Sequence, residues 1–330
     1  MQKILIIQTA FIGDVVLATG IAEKLHSHYP QAELDFLLRK GNEGLLSNHP
    51  FLNKILIWDK TKNKWGNLFK ILNLVRRNKY DKVINLQRFG STGLLTAFSN
   101  AKEKIGFDKN PFSLLFSKKI KHSMNEGRHE VERNHDLIKD FTDTVFAKPK
   151  LYPSEKDISS IQAYTAQPYI CIAPSSVWFT KQYPAEKWVE FINEIPATYK
   201  IFLLGGKDDE ELCEKINTAT YKKTEVLAGK LNYLQSAALM KSAAMNYVND
   251  SGPLHFASAM NASVTAIFCS TIPGFGFGPL SDNSFTIETK LPLSCKPCTL
   301  HGRKICPLSH FNCALTIETN QLLNTITNPA

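Results

Sequence analysis

Short apolar runs alternate with helical patterns along this chain, and the alternation starts twice. Residues 3–7, 33–38, 54–58 and 82–86 read as buried strands separated by helical spacing, with a shorter strand at 105–107. Strands apolar along both faces belong in a parallel sheet covered by helices on each side. The same periodicity predicts helices over 15–26, around 94–98, and over 130–146, the last with Val131, Leu137, Ile138 and Phe141 as its apolar side. Two prolines between 147 and 154, and Gln167-Pro168 after them, interrupt the pattern. It then resumes with strands at 169–173, 200–204, 225–227 and 264–268, and helices at 208–216 and 231–240. The expectation is an α/β protein of two Rossmann-like domains, 1–150 and 168–330, joined by a linker over 151–167. A chain of 330 residues suits two cores better than one.

Ligands of such sheets bind beyond the carboxyl ends of the strands, so the loops there carry the candidate chemistry. The most informative is the stretch 245–260. It reads as a buried strand, a turn from Asn249 to Gly252, and a helix opening at Pro253. Asp250 and Ser251 are capping residues, Gly252 lets the backbone approach a ligand, and proline suits the first helical turn. Amides at such a helix end attract a diphosphate, and His255 lies within reach of the same anion. After the first strand, Gly13 permits a tight turn and Asp14 opens a helix, placed either to cap it or to take a proton from a hydroxyl. After strand 169–173, Ser175, Ser176, Thr180 and Lys181 gather hydroxyls and a cation suited to phosphate. Gly205-Gly206, followed by Asp208, Asp209 and Glu210, is a turn whose carboxylates could accept ribose hydroxyls. Each of these segments also has a plain structural reading as a cap, a solvated loop or a turn.

Cys295, Cys298, Cys306 and Cys313 form a separate cluster, spaced by two, seven and six residues. Four thiolates at short spacings are able to close a tetrahedron around zinc, although this spacing is not a standard double Cys-x-x-Cys pattern. Four such ligands leave no position for a reacting water, so the expected metal is structural and no cofactor is required for catalysis. The balance of 39 Lys+Arg against 30 Asp+Glu, net +9, suits an acidic partner: a nucleotide, a phosphorylated glycan or an anionic membrane surface. The basic residues are scattered and no nucleic-acid motif accompanies them. The chain opens directly into a strand without a signal-peptide pattern, and no run approaches the roughly 20 apolar residues of a membrane span. With seven cysteines, this points to the reducing cytoplasm.

Several of these segments together resemble a known family. Ile-Leu-Ile-Ile followed by Phe11-Ile-Gly-Asp-Val-Val-Leu-Ala-Thr19 is similar to the opening of glycosyltransferase family 9, the ADP-heptose:lipopolysaccharide heptosyltransferases. Asn249-Asp-Ser-Gly-Pro-Leu-His255 resembles that family's Asp-Thr-Gly-x-x-His nucleotide motif, and His129-Glu-Val-Glu-Arg133 its His-x-x-Glu-Arg segment. Phe275-Gly-Phe-Gly-Pro279 and the cysteine cluster are similar to its late region. The resemblance implies a GT-B fold, two Rossmann-like domains facing across a cleft, the first taking the acceptor and the second the nucleotide-sugar. The last helix is expected either within the second domain or packed back on the first. The implied reaction is inverting transfer of heptose from ADP-heptose to a lipopolysaccharide inner-core acceptor, in the cytoplasm with peripheral contact at the inner membrane. By motif, Asp14 becomes the general base. Ser175, Ser176, Lys181, Asp250, Ser251, Gly252 and His255 bind the donor. His129 and Arg133, four apart on one helix, face the acceptor. Gln8 stands where many relatives carry Lys or Arg, which removes a charge from the acceptor side, and Ser251 replaces the commoner Thr. Three other readings fit the same architecture: a nucleotide-sugar epimerase or hydrolase, a family member using a different donor sugar, and a non-catalytic nucleotide- or metal-binding protein.

Overall fold

A computed structural model describes residues 1–124 and 127–326, which form two compact units, Met1–Tyr152 and Pro153–Ala330. The first unit runs β1 (Lys3–Ile7), α1 (Ile12–His28), β2 (Glu33–Arg39), β3 (Leu52–Trp58), α2 (Lys64–Asn78), β4 (Lys82–Asn85), α3 (Gly90–Ala97), β5 (Glu103–Phe107), β6 (Lys118–Ile120) and α4 (Glu130–His135). Its six strands lie in the order β3-β2-β1-β4-β5-β6, parallel throughout. Helix α2 shows why these segments fold as they do. Leu68, Ile71, Leu72 and Val75 recur at helical spacing and are its buried side. They join Leu5, Ile7, Leu37, Trp58 and Val83 from the strands in one apolar cluster. In α1, Gly20 lies where a Cβ would come within 2.5 Å of the Ala147 carbonyl oxygen, so the returning chain passes only over glycine.

The second unit runs α5 (Glu155–Ser160), β7 (Tyr169–Ala173), α6 (Ala185–Glu194), β8 (Lys200–Leu203), α7 (Glu210–Ala219), β9 (Thr224–Val226), α8 (Tyr233–Lys241), β10 (Met245–Asn249), α9 (Gly252–Met260), β11 (Val264–Ile267), β12 (Ser284–Ile287), α10 (Asn312–Leu315) and α11 (Thr319–Leu323). Its strands follow β12-β11-β10-β7-β8-β9, again all parallel. Trp188, Phe191 and Ile192 of α6 pack with Ile170, Ile172, Leu203 and Tyr247 of the sheet. In each unit the strand order reverses beside one strand pair, β1/β4 in the first and β7/β10 in the second. Each reversal opens a crevice at the carboxyl ends of its pair.

The sequence-based expectations differ from the structure in three places. The expected helix over 130–146 stops at His135, because Leu137 and Ile138 bond three residues back and the ring of His135 meets the Asp143 carbonyl oxygen at 2.6 Å. The expected linker 151–167 holds α5, whose Ser154 cap accepts the Asp157 amide, and Asn232 beside α8 bonds the Asp157 carboxylate. Two short edge strands, β6 and β12, have no counterpart among the expected strands; β6 carries two lysines in three residues and β12 no apolar run. Of the two placements expected for the last helix, α11, the last among the described residues, takes the one in the second unit's core, where Leu322 is buried and its carbonyl accepts the Tyr247 hydroxyl at 3.1 Å.

Trp188 is fully buried and meets Tyr183 edge-to-face at 5.1 Å. Trp188→Ala should therefore destabilise the second unit by about 3–5 kcal/mol. Urea unfolding followed by tyrosine fluorescence checks this, and an unchanged midpoint would remove the residue from the core.

Candidate active site

In the first unit, the crevice between β1 and β4 is closed at its base by side chains. The Thr9 hydroxyl after β1 donates to the Gln87 side-chain oxygen after β4 at 2.7 Å, and both residues are buried. From the end of β3, the Lys60 ammonium reaches the same spot, donating to Thr9 Oγ1 at 2.7 Å and to the Thr9 carbonyl at 2.9 Å. Burial, with Arg39 and Lys64 close by, pulls the Lys60 pKa down to about 8. The Arg39 guanidinium lies 4.8 Å from the Phe11 ring, and Asn42 donates to the Ala10 carbonyl. The loop from Gln8 to Asp14 is thus ringed by groups from β2, β3 and β4. Asp14 is the third residue of α1 and half-buried, and its carboxylate accepts the Phe11 amide at 3.2 Å, the reach-back half of a capping box. It caps the helix in the turn that follows the carboxyl end of β1.

His129 and Arg133 are not two neighbours on one helical face. His129 is the residue before α4: its Nδ1 accepts the Val131 amide at 3.2 Å, and its own amide donates to Glu132 at 2.6 Å. Arg133 turns inward and is buried. Its guanidinium pairs with Glu130 at 2.8–2.9 Å and also donates to the Arg128 carbonyl. Burial raises the Glu130 pKa, while Arg133 and Arg88 draw it down. His122 is pulled down to about 4 by burial and by the positive charge of Arg88 and Arg133, so it is neutral near pH 7.

The second unit's crevice, between β7 and β10, is organised by Asn249. Its amide nitrogen donates to the carbonyls of Pro174 at 2.8 Å and Ser175 at 3.3 Å, while its oxygen accepts the Tyr183 amide at 2.9 Å. One buried side chain therefore ties both ends of the loop carrying Ser175, Ser176, Thr180 and Lys181 to the end of β10. Within that loop Gln182 donates to the Ser176 carbonyl at 2.6 Å. Lys181 pairs with Asp250 at 2.7 Å, and the same carboxylate oxygen accepts the Thr271 hydroxyl at 2.7 Å. Helix α9 opens at Gly252, one residue earlier than the proline suggests. Ser251 is its N-cap residue but makes no side-chain cap; its hydroxyl bonds back to the Asn249 carbonyl at 3.3 Å. The positive end of α9 thus faces the crevice without a side-chain cap. His255, in the next turn, is buried with its ring 6.3 Å from that of Phe277. The Gly205-Gly206 turn closes on itself, since Asp209 accepts the Gly206 amide at 2.7 Å.

The structure therefore brings Ser175, Ser176, Lys181, Asp250, Ser251, Gly252 and His255 to one crevice of the second unit. Sequence reading missed Asn249, Thr271, Gln87 and Lys60. A polar residue closing an otherwise apolar strand was the available signal for Asn249, and for Lys60 a lysine two residues beyond β3. Among the described residues, no three His, Cys, Asp or Glu side chains stand ready to hold a metal ion, and no helix is long and apolar enough to cross a membrane.

Comparison with known proteins decides the family. The sequence profile of glycosyltransferase family 9 (heptosyltransferase) matches residues 68–307. The chain belongs to that family. This family 9 glycosyltransferase is 26% identical over 277 residues to lipopolysaccharide heptosyltransferase 3 of Escherichia coli, a match covering 79% of this chain and 82% of that protein. Its fold is shared with the solved E. coli ADP-heptose lipopolysaccharide heptosyltransferase II, at TM-score 0.80 and 22% identity, covering 98% of this chain and 97% of the other. It is likewise similar to the E. coli heptosyltransferase WaaC solved with ADP, at TM-score 0.78 and 18% identity over 98% of this chain and 99% of that one. The fold is GT-B in class, two Rossmann-like units with six parallel strands each.

The Arg133–Glu130 pair makes the role of the His-x-x-Glu-Arg segment testable. Removing one partner of a buried pair leaves an uncompensated charge and costs about 3–5 kcal/mol. Arg133→Met should lower the melting temperature of the enzyme and leave KM for the acceptor close to wild type in the folded fraction. A raised KM at unchanged stability would make Arg133 an acceptor ligand instead.

Proposed function

We propose that this glycosyltransferase transfers heptose from ADP-heptose, with inversion, to an anionic lipopolysaccharide inner-core acceptor. The observation that carries the donor side is the crevice between β7 and β10. There Lys181, held by Asp250, the opening of α9 without a side-chain cap, and His255 in that helix offer positive and polarisable partners suited to a diphosphate. The ADP with which WaaC was solved supports adenine as the base, and the names of the relatives support heptose and lipopolysaccharide. In the first unit, Lys60 and Arg39 stand at the carboxyl ends of strands and supply positive charge beside the loop that Gln8 begins, the position without a cation of its own. This supports an acceptor bearing phosphate or carboxylate groups. The enzyme would work in the cytoplasm, meeting the inner membrane only peripherally, in keeping with its charge of +9.

The reaction follows from two roles. Asp14 takes the proton of the acceptor hydroxyl as that oxygen bonds the anomeric carbon. The bond from that carbon to the diphosphate breaks on the opposite face, and ADP leaves with the electron pair. Lys181, His255 and the amides of α9 stabilise the charge growing on the diphosphate, and the Lys181–Asp250 pair keeps the ammonium oriented before the donor arrives. No metal enters these steps. A donor screen by mass spectrometry against a heptose-deficient core acceptor tests the whole reading. Rapid conversion of ADP-heptose without acceptor would instead favour an epimerase or hydrolase.

Asp14→Asn keeps an oxygen for the Phe11 amide and so preserves the helix cap, but it cannot accept the proton. It should lower kcat by about 10²–10⁴-fold with ADP affinity nearly unchanged. A near-normal kcat would leave Asp14 as a cap alone. On the donor side, Lys181→Ala and His255→Ala should each weaken ADP binding by calorimetry, by about 1.5–3 kcal/mol or roughly 10- to 150-fold. Unchanged affinity in both variants would move the diphosphate away from this crevice.

A further inference from the structure

Residues 60–79 hold five lysines, two arginines and no aspartate or glutamate, a strong local excess in a chain whose net charge is +9. The carboxylates at the two ends of this stretch are committed elsewhere. Asp59 pairs with Lys40 at 3.1 Å and Asp81 with Lys102 at 2.7 Å. Among the described residues, none of the seven cations lies at ion-pair distance from a carboxylate. Lys60 turns to Thr9 in the crevice, and the other six are exposed.

Helix α2 carries most of this charge together with apolar side chains that its core does not use. Leu68, Ile71, Leu72 and Val75 are buried, whereas Trp65, Phe69 and Leu74 are 60%, 56% and 41% exposed. Trp65 and Phe69 are one turn apart, and Arg76 follows along the same line of the helix. Lys70 and Arg77 form the adjoining row. The Asn63 side chain accepts the Gly66 amide at 3.2 Å and fixes the start of the helix beneath Trp65. At the other end, Arg76 Nε donates to the Phe98 carbonyl at 2.7 Å, which ties α2 to the chain after α3. Phe98 is itself exposed, and its ring meets that of Phe112 edge-on at 6.5 Å, shortly before the exposed Leu114 and Leu115. Apolar side chains therefore stand among unpaired cations over the solvent side of α2 and its neighbour, a mark of an interaction surface.

We propose that this face of the first unit docks on an anionic lipid bilayer, with Trp65 and Phe69 entering the headgroup region and Lys70, Arg76 and Arg77 meeting lipid phosphates. The proposal deepens the peripheral membrane contact named above and rests on it for its purpose, since a lipid-anchored acceptor has to be met at a membrane surface. Tryptophan, apolar in its rings and polar at one edge, settles at headgroup depth. Lysine and arginine lay their stems along apolar surface and extend their charge to the phosphates. A helix lying in the interface in this way is held by buried apolar area and by attraction to acidic lipid together. Leu74, Leu114 and Leu115 are aliphatic and offer a base no ring to stack on, which sets this face apart from a nucleic-acid groove.

The test uses the full chain and vesicles of three parts phosphatidylethanolamine to one part phosphatidylglycerol, with phosphatidylcholine vesicles as the neutral control. No glycan acceptor or nucleotide is present, so the outcome is separate from that of the donor screen. The chain should float with the anionic vesicles, stay behind with the neutral ones, and be released by high salt. Lys70→Glu with Arg77→Glu, and Trp65→Ser with Phe69→Ser, should each weaken binding by about tenfold or more. All four side chains are exposed, so both double variants should melt as wild type. Brominated lipid should quench the tryptophan fluorescence, and Trp65→Phe should remove most of that quenching. Absence of binding by the wild-type chain would overturn the proposal, and this measurement requires no variant to fold. Wild-type affinity in both double variants, or quenching that survives Trp65→Phe, would overturn it too. A chain that ignores vesicles yet self-associates in sedimentation equilibrium, and becomes monomeric with Trp65→Ser and Phe69→Ser, would assign the face to a second copy instead.

Discussion

The site of the second unit depends on the hydrogen bonds of one buried amide. Asn249 closes β10 and spends both ends of its side chain on the loop after β7, holding Pro174 and Ser175 with its nitrogen and Tyr183 with its oxygen. An aliphatic residue there would leave three backbone groups without these partners, and buried polar groups without partners cost about 1–3 kcal/mol each. Because the loop is stitched at both ends, Lys181, two residues before the second tie, is delivered to Asp250 without searching for it. The same principle operates in the first unit through Thr9, Gln87 and Lys60. In both sheets, polar side chains bridge the two strands where the order reverses.

That arrangement places charge before the substrate is present. Lys181 and Asp250 pair in a largely buried setting, where taking two charges out of water is expensive and good geometry is needed to offset it. Thr271 adds a further bond to the same carboxylate oxygen. An ammonium already fixed in position needs little reorganisation when a diphosphate develops charge beside it. Arg133 follows the opposite logic. Its guanidinium is committed to Glu130 and to a carbonyl, which makes it part of the frame behind the crevice.

Much of the architecture is legible along the chain, because a central parallel strand must be apolar on both faces and leaves a run of four or five such residues. The apolar run at Tyr169–Ala173 marks its strand to the residue for that reason. The strands Lys118–Ile120 and Ser284–Ile287 escape, since each lies at an edge and is only three or four residues long, without an apolar run. The helical spacing over 130–146 outruns the helix itself, because spacing alone does not reveal that His135 is held by the Asp143 carbonyl.

The sequence by itself determined that there are two α/β units, and it marked the loops that carry hydroxyl, carboxylate and imidazole groups. Local rules suffice for this: apolar period, turn residues and helix starts act over a few neighbours. The partners of those groups were decided by the tertiary structure alone. Lys181 meets Asp250 across 69 positions of chain, and Cys295 meets His310 across a loop with no regular period. Such pairings depend on which strands lie side by side and on which side chains lose their water, and neither is written in the spacing of residues along the chain.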